Sequence, residues 1–446
     1  MSLKSASGPA TGTSPASTSV SPGRRRYVIA LVLGLVVCLG YMDRVNFSVA
    51  GDEVIKAFGL STGEFGLATS IFNWAYVVVL IPVGIIADRR GARLVLALSV
   101  IVWSLGALFT GLAVGMGTLI VARLLLGAGE SSTFPAGNLA VREWAPAKER
   151  GIFTGTLNAG TVVGPAVGAV VAAYLVVELG WRGSFLVEGG AGLLVGVIWY
   201  LAYNSPERTR WLRPGERAMI LAEREGAATA EEKPPTAAMS IGGLLRTRTV
   251  WGLMITQGCG VYTSYLFLSF LPLYLVTERH LKILSSGWVT GLTYGIAAVG
   301  SVIAARISDR ALRKAEVRRG GRRKAVACVM LLTLPLLALP WITSTAGVIA
   351  LISWVLIMDT AAITLNWALT SDLIVDKASS GRAFALTGVG GNVFGLLAPI
   401  VTGYLVDWTG SYTVPFLVAG GLLLVGAGVT WTMSKRPLQP AQAAGR

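Results

Sequence analysis

The chain has 446 residues, of which 53% are hydrophobic and only 14% are charged, and its mean hydropathy is +0.65. This composition excludes a soluble enzyme and indicates a helical bundle embedded in a lipid bilayer. A single histidine, His280, and three cysteines that all lie in apolar stretches also argue against a zinc site, a haem protein and a disulfide framework.

Apolar stretches predict the course of the chain. A membrane-spanning helix needs about 20 apolar residues, and twelve stretches qualify as the spans of an all-α membrane protein. The first follows three arginines, but its apolar run is too long for a signal peptide, so we expect it to be retained. The predicted spans are residues 27–49, 65–87, 94–114, 118–140, 152–177, 184–203, 250–276, 287–308, 325–343, 347–370, 383–406 and 412–433.

The segments outside the spans define the domains. Residues 1–26 are predicted to form a disordered cytoplasmic tail, because the first 23 are rich in Ser, Ala, Thr, Gly and Pro. The only long loop, residues 204–249, is cytoplasmic and separates two six-helix bundles, residues 27–203 and 250–433. Within this loop, Pro214–Arg224 is predicted to form a short amphipathic helix. Residues 434–446 form the C-terminal cytoplasmic tail.

The distribution of basic residues predicts the orientation in the membrane. Most of the 38 lysines and arginines fall on the face that carries both termini, whereas only Lys56, Arg182, Arg279 and Lys282 occupy loops of the other face. Cytoplasmic loops carry an excess of basic residues, so both termini are expected to be cytoplasmic. The net charge of +15 therefore reflects topology and contact with membrane lipid, and no nucleic-acid partner is expected.

Two sequence patterns recur in both bundles. Asp88-Arg89 and Asp309-Arg310 each stand at the cytoplasmic end of a predicted span. Asn158 and Asn392 are each followed by a proline at the same spacing. Two similar halves that meet near the middle of the membrane are typical of transporters that work by alternating access.

Longer motifs resemble those of a known family. Gly84, Asp88, Arg89, Gly91 and Arg93 form a pattern similar to the signature loop of the major facilitator superfamily. Together with further motifs it resembles the anion:cation symporter family, whose members include bacterial hexuronate, aldonate and aldarate transporters. The resemblance implies a fold of two pseudo-symmetric six-helix bundles. The further motifs are Tyr41-Met-Asp-Arg-Val-Asn46, Gly127-Ala-Gly-Glu-Ser-Ser-Thr-Phe-Pro135, Glu143-Trp144 and Trp181-Arg182.

Four charged residues lie well inside predicted spans of the first bundle: Asp43, Arg44, Arg123 and Glu130. A charge within the bilayer costs about 2.5 to 3.5 kcal/mol on insertion scales, so each needs a partner or a function. Two carboxylates and two guanidiniums form a neutral cluster, in which protonation of one carboxylate frees an arginine to bind a substrate carboxylate. A static salt-bridge network between spans one and four is the alternative.

The family resemblance implies a role for each member of this cluster. Arg44 would bind the substrate carboxylate, Asp43 and Glu130 would carry the coupling protons, and Arg123 would tune them. Two further carboxylates, Glu188 and Asp359, lie nearer the ends of their spans, and we expect them to be structural.

Aromatic and amide side chains are weaker candidates for substrate contact. Tyr41, Tyr76 and Trp367 could stack against a ligand, and Asn158 and Asn392 could hydrogen-bond its hydroxyl groups. Helix packing is the alternative explanation for these residues.

A latch is predicted between spans two and three, at Asp88, Arg89 and Arg93. A carboxylate beside the N-terminus of a neighbouring helix is stabilised by the helix dipole. Breaking this contact in each cycle would gate the cytoplasmic side.

These observations predict a secondary transporter of the cytoplasmic membrane and not an enzyme. We expect proton-coupled uptake of an organic anion by alternating access, with a sugar acid (an aldonate, hexuronate or aldarate) as the favoured substrate class. Arg44 suffices for one carboxylate and the second bundle has no deep cation, which favours monocarboxylates. Alternatives are a carboxylate that is not a sugar acid, such as tartrate, phthalate or pantothenate, an exchanger, and a transporter-like sensor. No cofactor is expected besides the coupling proton, for which sodium is an alternative, and the chain is expected to be a monomer.

Overall fold

The structure is a computed structural model that describes residues 23–231, 239–311, 321–374 and 379–438. The predicted N-terminal tail up to residue 22 and the end of the C-terminal tail lie outside the described residues.

Helices make up nearly all of the described chain. We number them α1 to α14, and one 3-10 helix lies between α11 and α12. Their bounds are α1 Tyr27–Val49, α2 Gly51–Phe58, α3 Thr62–Gly111, α4 Met116–Glu130, α5 Thr133–Trp144, α6 Arg150–Ala202, α7 Pro214–Glu231, α8 Ile241–Leu245, α9 Arg248–Thr277, α10 Ile283–Ala311, α11 Arg322–Leu331, the 3-10 helix Leu334–Trp341, α12 Thr345–Leu373, α13 Ser380–Thr409 and α14 Thr413–Met433.

Nine helical segments of the described chain are long and apolar enough to cross a membrane, which confirms a multi-pass α-helical protein. Two of them, α3 with 50 residues and α6 with 53, contain a glycine with non-helical torsions. Gly91 has φ 80° and Gly180 has φ 70°, a region that side chains with a Cβ rarely adopt. Each long helix is therefore two segments joined at a sharp turn. The predicted count of twelve also requires α4 and α5 to cross together, and it stays a prediction.

Helices α1 to α6 form what we call the first half, and α9 to α14 form the second half. We call the side where α1 begins and α14 ends the terminal face, and the other side the opposite face. The two halves contact each other toward the opposite face, where α3 packs on α13 and α6 packs on α10. At Gly66, an added Cβ would lie 2.2 Å from the carbonyl oxygen of Pro399, so only glycine permits this approach.

Hydrogen bonds reinforce the contact between α3 and α13. The Ser70 hydroxyl donates to the carbonyl oxygen of Leu396 at 2.6 Å. The carboxylate of Asp407 accepts from the backbone N–H groups of Thr62 (2.9 Å) and Gly63 (2.8 Å) at the start of α3. A carboxylate on a helix N-terminus satisfies free N–H groups and the helix dipole, so Asp407 ties the halves together at the opposite face.

Helix α7 lies on the terminal face of the first half, in the segment predicted as a loop with one short helix. Arg26, which caps α1, donates to Glu216 of α7 at 2.9 Å and to Glu149 through two hydrogen bonds of 2.6 Å. Ile220 of α7 is buried against the first half. The Arg26 guanidinium lowers the pKa of the Glu149 carboxyl below its ordinary value. This ion triad fastens the linker to the first bundle.

Candidate functional site

Arg44 of α1 and Glu130, the last residue of α4, form a buried ion pair. The Arg44 Nη2 and Nε atoms donate to one oxygen of Glu130, at 2.7 and 3.0 Å. The side chains are only 8% and 4% exposed. The second oxygen of Glu130, Oε1, is buried and has no hydrogen-bond partner among the described residues. Burying two charges is expensive even when they pair, so this pair needs a functional reason.

Aromatic rings surround the Arg44 guanidinium. Its carbon lies 4.6 Å from the ring centres of Tyr41 and Phe72 and 5.5 Å from that of Tyr76, distances at which the ring faces attract a cation. Arg44 Nη1 also donates to the hydroxyl of Tyr265 at 3.1 Å. Since Tyr265 belongs to α9, Arg44 links the two halves.

Arg123 of α4 shares an aromatic neighbour, Phe72, with Arg44. Its guanidinium lies 4.1 Å from the centre of the Phe47 ring and 5.3 Å from that of Phe72, so Phe72 touches both arginines. The residue is only 1% exposed, and its Nε and Nη1 atoms find no hydrogen-bond acceptor in the described part of the chain. Arg123 therefore interacts with the cluster through its charge, and its Nε and Nη1 groups remain available as hydrogen-bond donors.

Asp43 turns away from Arg44, as expected for adjacent residues about 100° apart on a helix. Its buried carboxyl group lies within hydrogen-bonding reach of the carboxyl group of Glu188, in the second segment of α6. The amide of Asn46 donates to Glu188 at 2.5 Å, and Ser184 donates to the oxygen of Asn46 at 3.0 Å. A hydrogen bond between two carboxyl groups would require one proton, so this pair is a candidate proton position.

The structure thus enlarges the predicted cluster. The sequence suggested two acids and two arginines, but Glu188 adds a third carboxylate that was expected to be structural. A signal for it existed, because α6 carries no basic partner for Glu188 in the interior of its second segment. The cluster becomes neutral when one proton is bound.

A cavity of about 240 Å³ lies between the halves beside this cluster. Tyr41 and Tyr265, which both contact Arg44, form part of its wall, and Thr161 and Pro165 of α6 contribute from the first half. A larger groove of about 820 Å³ between α6 and α10 is lined only by apolar residues and glycine, so it offers no group for an anion. The smaller cavity is the candidate binding site. Its lining from the second half comprises Val261, Ser264, Tyr265, Leu268, Tyr294, Ala297, Leu356, Thr360 and Ile363.

Three other predicted contact residues make different interactions. The amide of Asn158 donates to the carbonyl oxygen of Thr154 on its own helix, at 2.8 Å. Trp367 stacks on Phe384 with ring centres 5.7 Å apart, and Asn392 is half-buried on α13. None of these contacts joins the Arg44 cluster, so their role in substrate binding stays a prediction.

The predicted latch residues do not contact one another. Asp88 is exposed and faces Arg142 of α5 at 3.5 Å. Arg93 instead donates to the carbonyl oxygen of Tyr200 (2.8 Å) and to Asn204 (2.9 Å), which fastens α3 to the end of α6. Arg89 is exposed. The proposed gating role of these three residues stays a prediction.

The fold and the charged cluster agree with a sequence-family match. The family described as Major Facilitator Superfamily matches residues 33–380. The chain belongs to this superfamily. Its relatives include the "Probable galactarate/D-glucarate transporter GudP" of Bacillus subtilis, 30% identical, with 92% of this chain and 91% of the relative aligned. The "Probable L-galactonate transporter" of Escherichia coli is 28% identical over 89% of this chain and 86% of the relative.

Solved structures of the superfamily share the fold. A bacterial homologue of the human lysosomal transporter Spinster, in an inward-facing and occupied conformation, matches with a TM-score of 0.74 at 19% identity. The match covers 93% of this chain and 99% of that chain. The chain is therefore a multi-pass membrane transporter of the superfamily and not an enzyme, and its relatives carry small organic anions.

Proposed function

We propose that the chain is a proton-coupled symporter that imports a sugar acid across the cytoplasmic membrane. One observation carries the proposal: Glu130 holds the Arg44 guanidinium beside the cavity through two hydrogen bonds. A substrate carboxylate needs the same donors, so substrate and the Glu130 carboxylate compete for Arg44. A proton on Glu130 weakens the competitor, and proton and substrate therefore bind together.

Asp43 and Glu188 supply a second proton position in this scheme. Their carboxyl groups would share one proton, and the charge of Arg123, whose guanidinium lies over the Phe47 ring, would influence how easily that proton leaves. When the substrate takes Arg44, the charge balance of the whole cluster changes. The second position thus makes the bound proton count depend on substrate occupancy.

The contacts between the halves support an alternating-access cycle. The halves are joined toward the opposite face through Gly66, Ser70 and Asp407. Because the basic loops lie on the terminal face, we place that face in the cytoplasm. In this orientation the structure represents the inward-facing state, and opening the Asp407 contact would begin the return.

The relatives support a sugar acid as substrate, since galactarate, glucarate and galactonate all appear in their names. The aliphatic and aromatic part of the cavity wall, which includes Leu268 and Ile363, favours a second candidate, a carboxylate with few hydroxyl groups. Both candidates need Arg44. The two candidate substrates differ in the chemical groups, hydroxyl or apolar, that would fill the rest of the cavity.

Purified protein in liposomes tests the proposal. We expect an inward proton gradient to drive concentrative uptake of a sugar acid and a proton ionophore to stop it. The same acid should stabilise the protein against heat, by about 2.7 kcal/mol at 100 times its dissociation constant. Uptake that follows a sodium gradient alone, or exchange without net uptake, would overturn proton symport. Stabilisation only by tartrate, phthalate or pantothenate would replace the sugar acid with the second candidate.

A further inference from the structure

The second half contains one fully buried carboxylate, Asp359 of α12, in the part of the chain that the structure describes. The Ser264 hydroxyl of α9 donates to its Oδ2 atom at 2.6 Å. Its other oxygen, Oδ1, is buried without a hydrogen-bond partner among the described residues. Tyr294 and Cys259 are the ionisable groups beside it, and no described lysine or arginine forms a salt bridge with it. Asp359 is therefore not half of an ion pair.

Asp359 lies directly behind the wall of the candidate cavity. Ser264 lines the cavity, and so do Thr360, which follows Asp359, and Tyr294. Because the Ser264 hydrogen points to Asp359, the serine presents its lone pairs to the cavity. The next residue along α9, Tyr265, contacts Arg44. The Arg44 guanidinium thus lies behind Tyr41 and Tyr265 of the cavity wall, and the second half contributes an electron-rich acceptor, Ser264, to the same wall.

We propose that Ser264, with Asp359 behind it, forms an acceptor subsite that binds hydroxyl groups of the substrate and rejects a second carboxylate. The inference rests on the proposed function and narrows it to polyhydroxy monocarboxylates, the aldonate class. Arg44 binds the single carboxylate, and the distant hydroxyl groups donate to Ser264. A dicarboxylate would place its second charge against acceptor lone pairs, beside a buried acid and with no cation to pair with, so the desolvation of that charge would not be compensated.

Two acids with the same carbon skeleton test the subsite. Galactonate and galactarate differ only at one end, where galactarate carries a carboxylate in place of a hydroxymethyl group. Thermal stabilisation of the full-length protein gives a dissociation constant for each. Wild type should prefer galactonate by about tenfold or more. Asp359→Asn keeps an acceptor for Ser264 but removes the acid, so it should reduce this ratio by about tenfold through tighter galactarate binding.

Two further variants complete the test. Ser264→Ala should reduce the ratio through weaker galactonate binding. This variant tests the subsite on its own if Asp359→Asn does not fold. Glu278→Gln removes an acid from the exposed end of α9 and should leave the ratio unchanged. An unchanged ratio in Asp359→Asn or in Ser264→Ala overturns the subsite, and so does a change confined to the pH dependence of uptake. If neither acid binds wild type, the aldonate assignment fails. If no acid of a wider panel that includes hexuronates binds, the proposed function itself fails, which is a distinguishable result.

Discussion

The interiors of the two halves differ in charge. The first half buries Asp43, Arg123 and Glu130 fully and Arg44 almost fully, whereas Asp359 is the only fully buried charged residue among the described residues of the second half. The halves nevertheless share the superfamily fold and meet at one cavity. The first half therefore carries most of the buried charges, whereas the second half contributes mainly uncharged surface to the cavity. Changes at the buried carboxyl groups of the first half should therefore affect coupling, and changes at Ser264 and Asp359 of the second half should affect selectivity.

The largest effect is expected at the arginine that both halves contact. Arg44→Lys replaces a planar fork with a point charge, so it can no longer hold a carboxylate through two parallel hydrogen bonds. We expect sugar-acid binding to weaken by about 100-fold or more, measured by thermal stabilisation. Lys56→Arg, an exposed exchange of the same two residue types, serves as control. Affinity close to wild type in Arg44→Lys would remove Arg44 from the binding site.

Glu130→Gln separates binding from coupling. The glutamine mimics a protonated glutamate, so Arg44 stays available to substrate while the proton position is lost. We expect substrate exchange to continue and uphill uptake to stop in liposomes with a proton gradient. Glu64→Gln, at the exposed start of α3, is the matched control and should transport normally. Concentrative uptake by Glu130→Gln would contradict its role as a proton carrier.

Glu188→Gln tests the role of a carboxylate that was expected to be structural and not part of the cluster. An amide can still donate a hydrogen bond to Asp43, so the packing should survive, but the shared proton disappears. We expect fewer protons per substrate and uptake that varies less with pH, while affinity stays within about threefold of wild type because Arg44 is untouched. The measurement is the ratio of proton to substrate flux. The same ratio in variant and wild type would make Glu188 structural after all.

Tyr265→Phe removes the hydrogen bond by which the second half reaches Arg44. A hydrogen bond to a charged group contributes about 1.5 to 3 kcal/mol, part of which the remaining contacts of Arg44 retain, so we expect affinity to fall by about tenfold. Tyr262→Phe, on the same helix, lacks a contact with Arg44 and is the control. Equal losses in both variants would indicate a general packing defect.

The smallest effect is expected at the linker helix. Since Arg26 lowers the pKa of Glu149, the contact stabilises the fold fully above the ordinary glutamate pKa and is lost as the pH falls through the lowered value. Glu149→Gln should lower the free energy of unfolding by about 1 kcal/mol or less at neutral pH, and by nothing in strong acid. Thermal unfolding at both conditions checks this. A difference that persists in acid would rule out the carboxylate as its cause.

The helices could be predicted from apolar runs because the bilayer imposes both their length and their composition. Of the cluster, Asp43, Arg44, Arg123 and Glu130 stood out as charges inside apolar spans. The contacts of the two arginines with the rings of Phe47 and Phe72 could not be read from spacing. The contacts of Glu188 with Asn46 and of Asp359 with Ser264 were not predicted, because distance along a helix does not tell which neighbour a side chain meets. The structural role expected for both carboxylates stays a prediction. Asp43 of α1 lies near Glu188 of α6, which is 145 positions further along the chain.

The approach of Gly66 to Pro399 has a consequence for leakage. Here the barrier between the two sides is closed by main chain against main chain, and no ionisable side chain stands between these two residues. At this one contact no titratable side chain can bind a proton, although the carboxylate of Asp407 belongs to the same seam. A methyl group at Gly66 would keep α3 and α13 from packing this closely. The rate at which protons leak through the closed protein would then depend on how closely the two helices pack, and one added carbon atom would be enough to raise it.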